Sequence, residues 1–438
     1  MNSKIKESWN PLGPSESLGE MLLAETAIKI ELPSSLHQIA TARYKSVLEY
    51  IERERSPLRG LVIIFYPQGS MAINATIRSH RSGHDYDLDI VAELILPRGT
   101  LPHEYLDLLF EAINGEPDSL YYGKVKRQTR CVTIEYRGKD AMHLDITPSA
   151  LLDEFDPRRS HIFDAKPEKP EWEHSALISN SYAFVDWYRE RTPDDAPFRE
   201  AYAALAQQRF FEAGRVLASA DVEEVPEQKT LEDGKAAVTV ALQLLKRNRN
   251  IRYEDRSGRM PPSVLLACCA GEVAASGQSI SEALSQIVDN IQSKLEAAVA
   301  HGQLIDVRNP CCVEDQFTDR WPESIRAQNT YIADLKKLQK QLELLVGENN
   351  GLALVAKQDL LIDMFGEKPA MAAVLSWATQ RGKNIEQGAR RVNKKGNVFT
   401  APSIGGAIIG VGSGAVRARE NTFYGGSLEE LQNGETTD

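Results

Sequence analysis

The chain has 438 residues, 42% of them hydrophobic and 26% charged, with a formal net charge of −11. These values describe a soluble globular protein of one large or two ordinary domains with ample apolar material for a core. The negative balance argues against broad, sequence-independent binding of duplex nucleic acid, which needs a positive surface. No apolar run is long enough for a bilayer span, so no membrane association is expected, and the start "MNSKIKESWNPLGPSES" lacks the apolar stretch of a secretory signal.

Residues 1–33 read as a loose Pro-, Gly- and Ser-containing segment. Ser34 or Ser35 then caps a helix in which Leu36, Ile39, Ala40, Tyr44, Val47, Leu48 and Ile51 recur at helical spacing. "LVIIFYP" reads as a buried strand that runs into Gln68, Gly69 and Ser70, and "DYDLDIVAELIL" as a second strand. "YLDLLFEAI" reads as a helix, and "RCVTIEY" and "MHLDITPSALL" as two strands joined by the turn "RGKDA". Residues 34–178 are therefore expected to form a lobe built on a mixed sheet.

The pattern turns helical from Ser179, and residues 179–390 read as a helical lobe. "SNSYAFVDWYRER" stops before Pro193, and Thr230 with Asp233 forms a capping-box-like start for "TLEDGKAAVTVALQLLKRNRN". Leu284, Ile287, Ile291 and Leu295 make one aliphatic stripe, and Ile325, Ile332, Leu335, Leu338, Leu342 and Leu345 another. Such stripes are packing seams before they are anything chemical. Residues 391–438 are Gly/Ser-rich and then acidic, the composition of a flexible tail. The cysteines Cys131, Cys268, Cys269, Cys311 and Cys312 make an odd count with two adjacent pairs, which suits a reducing cytoplasm better than a disulfide framework. Without a Cys-x-x-Cys pair, zinc is not expected, and His301 near Cys311 and Cys312 does not supply the missing ligands.

The stretch "QGSMAINATIRSHRSGHDYDLDIV" carries the chemistry. Asp85, Asp87 and Asp89 alternate along a strand, and residues i and i+2 share a face about 7 Å apart. Like charges so placed destabilise a strand unless a cation sits among them. Hard oxygen ligands select magnesium or manganese, and two such ions about 4 Å apart clamp the attacking and leaving oxygens of a phosphoryl transfer. Asp145, between Leu144 and Ile146, offers a third carboxylate from a neighbouring strand. Alone, Asp145 is a strand-edge charge and Gly69-Ser70 an ordinary turn. Together, the turn becomes a grip for a phosphate: glycine lets the backbone approach, and serine adds a hydroxyl. The basic runs "GKVKRQTR" and "KRNRNIRYEDRSGR" read as solvated faces unless they border such a centre.

These stretches, with "YAFVDWY", "LQLLKRNRNI", "PPSVLLA" and "DVRNPCCVEDQFTDRW", resemble the bacterial cGAS/DncV-like nucleotidyltransferases (CD-NTases), a branch of the polymerase-beta-like superfamily, over Leu36 to Trp321. The resemblance implies an α+β fold, a polymerase-beta-like mixed-sheet lobe plus a helical lobe with the active site in the cleft between them. It implies synthesis of a cyclic di- or trinucleotide second messenger for antiphage defence (CBASS) from nucleoside triphosphates, with release of pyrophosphate. Two Mg2+ ions (or Mn2+) would be held by Asp87, Asp89 and Asp145, the last also activating the attacking ribose hydroxyl. Asp85 is a rim or accessory ligand, and the register remains open, since related enzymes also use the pair corresponding to Asp85 and Asp87. Gln68, Gly69 and Ser70 would hold the donor triphosphate, joined by Lys246 and Ser263. Outside the resemblance, Lys246 reads as a helix-end cation and Ser263 as a helix cap.

Arg247, Arg249 and Arg252 are interchangeable helpers on this reading. Tyr66 or Tyr253 offers a stacking surface, although Tyr66 reads first as a buried strand residue. His143 reads equally as a partner of Asp145 and as packing, and His80 and His84 as solvated loop residues. Two other activities stay open: a linear oligonucleotide synthase or RNA- or protein-modifying nucleotidyltransferase, and a catalytically silent nucleotide-binding protein. The branch also implies a regulatory partner protein, in some members engaged through the C-terminal tail.

Overall fold

The computed structural model describes residues 17–32, 34–79, 86–138, 141–152, 158–212, 235–347, 352–386, 390–393, 398–400 and 415–416. It divides into two compact units, residues 1–373 and 374–438. The first unit opens with α1 (Leu18–Ile30), where the loose segment 1–33 was expected. "LGEMLLAETAIKI" is apolar on nearly every side, so this helix is driven into the interior and only its glutamates need partners. Those partners exist. Glu20 accepts from the Ser281 N–H at 3.2 Å, Glu25 holds the Arg209 guanidinium (Nε–Oε1 2.7 Å), and Glu31 pairs with Lys235 at 2.9 Å.

There follow α2 (Ser34–Ile51), β1 (Val62–Gln68), the single turn α3 (Gly69–Ala72), β2 (Asp87–Leu94), α4 (Pro102–Asn114), β3 (Val125–Arg127), β4 (Val132–Tyr136), β5 (Met142–Leu151), β6 (Ser160–Asp164) and β7 (Ser175–Ser179). The strands make one sheet in the order β1-β2-β5-β4-β3, with β6 paired to the far end of β5 and β7 to β6. Only β2 and β5 run parallel; the other pairs are antiparallel. Strand alternation sorts the side chains. Leu88, Ile90, Ala92 and Leu94 join Leu144 and Ile146, and α2 and α4 supply Val47, Ile51, Leu106 and Leu109 to the same core. The odd-numbered residues of β2 and β5 are left for the opposite face.

The remaining elements of this unit are helical apart from one hairpin: α5 (Ser181–Arg191), α6 (Ala196–Glu212), α7 (Ala237–Arg252), α8 (Ser263–Val273), α9 (Ile280–Ala300), the hairpin β8 (Arg308–Asn309) and β9 (Cys312–Gln316), α10 (Ile325–Val346), α11 (Leu354–Phe365) and the first residues of α12 (Glu367–Glu386). Ser279 and Glu282 form a capping box on α9, and Leu284, Ile287, Ile291 and Leu295 are all buried on it. Leu335, Leu338, Leu342 and Leu345 of α10 are buried too, so both stripes are packing seams. Thr230 and Asp233 lie outside the described residues; α7 begins at Ala237 after the extended N-cap Ala236, and Lys235 just before it pairs with Glu31.

The second unit holds the rest of α12 and three short antiparallel strands, β10 (Arg390–Asn393), β11 (Val398–Thr400) and β12 (Ala415–Val416), with β10 central. These pieces of the expected tail are thus paired strands, and the rest of 391–438 lies outside the described residues. Among the described residues no helix is long and apolar enough to cross a membrane.

Candidate active site

Register decides what meets on the free face of the sheet. Asp89 stands opposite Asp145, and Asp87 opposite His143, across the parallel pair. Gln68 of β1 is the other neighbour of Asp89, and Thr133 of β4 the other neighbour of Asp145. Register partners share a face, so Gln68, Asp89, Asp145 and Thr133 form one row across four strands. Asp87 lies two residues along from Asp89 on the same side, its side chain 74% exposed, with His143 Nδ1 at 3.7 Å.

The electrostatics of this row are unfavourable for carboxylates alone. Loss of solvent, then repulsion from Asp145 and Asp87, pushes the Asp89 carboxyl up to about 7, while Lys246 pulls it down. Burial raises Asp145 as well, opposed chiefly by the Thr133 hydroxyl, which donates to Asp145 Oδ1. Carboxylate oxygens crowded on adjacent strands are the donor chemistry of a hard divalent cation, and in that respect the residues fit magnesium. Among the described residues no three His, Cys, Asp or Glu side chains are gathered into a ready-made cage. Asp89 and Asp145 are the close pair, and Asp87 projects beside them into solvent.

Gly69 closes the row from above. Its φ is +61°, and a Cβ there would lie 2.4 Å from Asp89 Oδ2, so backbone and carboxylate touch where a side chain has no room. Gln68 Nε2 donates to Thr147 Oγ1 at 3.4 Å, and Ser70 Oγ lies 3.4 Å from Thr76 Oγ1. The turn is braced by α7. Lys246 Nζ donates to Ala75 O at 2.8 Å and Gln243 Nε2 to Thr76 O at 2.9 Å. Burial, reinforced by Arg249, brings the Lys246 ammonium down to about 7, against the pull of Asp89 and Asp87. Ser263 is the first residue of α8, which packs beside α3.

The structure therefore brings Gln68, Gly69, Ser70, Asp87, Asp89, Asp145, Lys246 and Ser263 into one neighbourhood of the first unit. Asp85, His80 and His84 lie outside the described residues. Tyr66 is buried edge-on against Tyr182. Tyr253 is half-buried, set edge-on to Tyr331 with Arg256 over its ring. Sequence reading missed Thr133, Thr76 and Gln243. The spacing of Gln243 three residues before Lys246 was a usable signal, since i and i+3 share a helix face. Thr133 becomes visible only once the β4–β5 register is known. The arginines also separate: Arg252 pairs with Asp363 at 2.5 Å, whereas Arg247 donates to the carbonyl of Phe365 at 2.9 Å. All five cysteines are free.

No protein-family model matches the chain. It is 40% identical to the cyclic dinucleotide synthase CdnG of Bradyrhizobium diazoefficiens, over 95% of this chain and 97% of that protein. The chain belongs to the CD-NTase family. It is a nucleotidyltransferase of the cGAS/DncV-like branch, with the α+β architecture of that family. The solved structure of the B. diazoefficiens CD-NTase in complex with GTP superposes with a TM-score of 0.71, covering 84% of this chain and all of that one. A c-di-GMP synthase from Roseivirga ehrenbergii is 23% identical over 93% of this CD-NTase. The CdnC:HORMA-deltaN complex of Escherichia coli matches in fold, with 16% identity and a TM-score of 0.51.

Proposed function

We propose that this CD-NTase joins nucleoside triphosphates, GTP among them, into a cyclic dinucleotide second messenger of antiphage (CBASS) defence, releasing pyrophosphate. The observation that carries the reading is the Asp89–Asp145 pair lying directly beneath the Gly69 backbone. The likeness to a cyclic dinucleotide synthase along nearly the whole chain supports the product class, and the GTP complex of that relative supports the substrate. Asp87, Asp89 and Asp145 would hold two Mg2+ ions, which when bound neutralise the charge that builds on the transferring phosphoryl group.

The chain's own residues do the rest. The Gln68-Gly69-Ser70 turn grips the donor phosphates with backbone and hydroxyl, and Lys246 and Ser263 add a cation and a neutral donor from the helical side. Asp145, oriented by Thr133, accepts the proton of the attacking ribose hydroxyl. Positioning supplies most of the rate, since no covalent intermediate is needed. Such chemistry suits the cytoplasm, in keeping with the free thiols. A regulatory partner protein completes the proposal.

The test is incubation of the full chain with radiolabelled ATP, GTP, CTP and UTP plus Mg2+, followed by phosphatase. A phosphatase-resistant product containing guanine is expected. Phosphatase-sensitive oligomers would make the enzyme a linear synthase instead. No product, with or without added cell extract, would reduce it to a nucleotide-binding protein.

A further inference from the structure

We propose that Arg249 is a positioning residue for the bound triphosphate: it fixes the Ser263 hydroxyl as an outward donor and places a fixed positive charge behind it. The inference rests on the reading of Lys246 and Ser263 as triphosphate-facing. Arg249 lies on α7, three residues past Lys246 and so on the same face, and is 4% exposed. Four of its five N–H donors are engaged. Nη1 donates to Pro261 O at 2.8 Å and to Ser263 Oγ at 3.0 Å, while Nε and Nη2 donate to Asn250 Oδ1 at 3.1 and 2.8 Å.

Two consequences follow from elementary donor chemistry. A guanidinium has no acceptor, so Ser263 Oγ is the acceptor in that bond, and its own proton is left to point elsewhere. In addition, every acceptor around Arg249 is neutral, and among the described residues no carboxylate pairs with it. A buried charge without a counter-ion is costly, and a fold retains one where an anion arrives in another state. The neighbouring arginine Arg252 is different, its charge spent on Asp363. The start of α8 has no side-chain cap, so its first-turn amide N–H groups remain available beside the Ser263 hydroxyl. An anion held there against α3 meets the serine proton, the amide groups and Lys246, with Arg249 directly behind them.

The test measures binding of GTP and GMP to the full chain by calorimetry in Mg2+, for wild type, Arg249→Met, Ser263→Ala and the double variant. GTP affinity is expected to fall about tenfold in Arg249→Met, equivalent to about 1.4 kcal/mol, with GMP affinity unchanged. The double variant should lose no more than Arg249→Met alone, because one residue acts through the other. Equal GTP affinity in Arg249→Met and wild type, equal losses for GTP and GMP, or strictly additive losses would each overturn the proposal. If Arg249→Met does not fold, the cycle is run with Arg249→Gln, which also removes the charge, and the same criteria decide. Wild type that binds no nucleoside triphosphate overturns it too. Wild type that binds GTP yet makes no cyclic product refutes only the proposed function.

Discussion

Replacing Gly69 by alanine separates backbone strain from damage to the site, because the chain supplies its own control. Gly60 has φ +70° and nothing within 4 Å of an added Cβ, whereas Gly69 has φ +61° and Asp89 Oδ2 at 2.4 Å. Both Gly→Ala changes carry the left-handed penalty of an L-residue, about 1–2 kcal/mol. Only at Gly69 must Asp89 also retreat, by about 1 Å to reach ordinary van der Waals contact, and a displacement of about 1 Å at a reacting centre costs on the order of 100-fold in rate. The two variants should therefore melt at similar temperatures below wild type, while pyrophosphate release from nucleoside triphosphates falls about 100-fold in Gly69→Ala alone. Activities of Gly69→Ala and Gly60→Ala that agree within a few-fold would refute the claim that the Gly69–Asp89 approach is built for catalysis.

Asp145→Asn is expected to abolish Mg2+-dependent synthesis while leaving metal-free thermal stability unchanged or raised, because it removes a charge that crowds Asp89; a drop in metal-free melting temperature together with retained synthesis would contradict both halves. Glu25→Ala removes the carboxylate that holds the buried Arg209 guanidinium, and should cost about 3–5 kcal/mol in urea unfolding, which would show that α1 is integral to the fold. Asp363 is held well below the usual carboxylate range, first by Arg252, with Lys337 and Gln341 also donating. A depressed acid contributes stability that is complete above the ordinary carboxylate pKa of about 4 and is lost as pH falls below it. Melting curves from neutral pH to pH 3 should thus fall less steeply in Asp363→Asn than in wild type, and parallel curves would contradict the assignment.

What the sequence revealed follows physical range. Period-two alternation in "DYDLDIV" and "MHLDITP" was enough to separate the Leu88/Ile90 core face from the Asp87/Asp89 face, because strand geometry is local. That Asp89 faces Asp145, and not the residue two along, depends on register, which no local pattern carries. The same limit hid Thr133, an unremarkable strand residue until β4 is laid against β5. Helix α1 was missed for the opposite reason. A stripe on one face announces a helix, but "LGEMLLAETAIKI" is apolar on nearly every side, and its glutamates Glu20 and Glu25 look like surface charge until the Ser281 amide and Arg209 are found folded onto them. The three arginines of "KRNRNIR" are indistinguishable as letters, and only their partners assign them different tasks.

The two walls of the site also explain one another. On one side lost solvent drives Asp89 and Asp145 toward protonation, with repulsion from Asp145 and Asp87 adding to the shift of Asp89; on the other, burial drives Lys246 toward losing its proton. A direct Lys246–Asp89 ion pair would relieve both and leave the site self-quenched. The fold prevents this by giving the ammonium to Ala75 O, at 2.8 Å, and by backing it with Arg249, which has no carboxylate among the described residues. Each wall is thus held short of the partner it needs. On the proposed function, a metal–triphosphate complex would present cation and anion together and so would meet both walls in one binding event, which a free metal ion or a free nucleoside would not. On that reading, discrimination for the complex would follow from keeping opposite charges close on the sheet and helix faces without letting them touch.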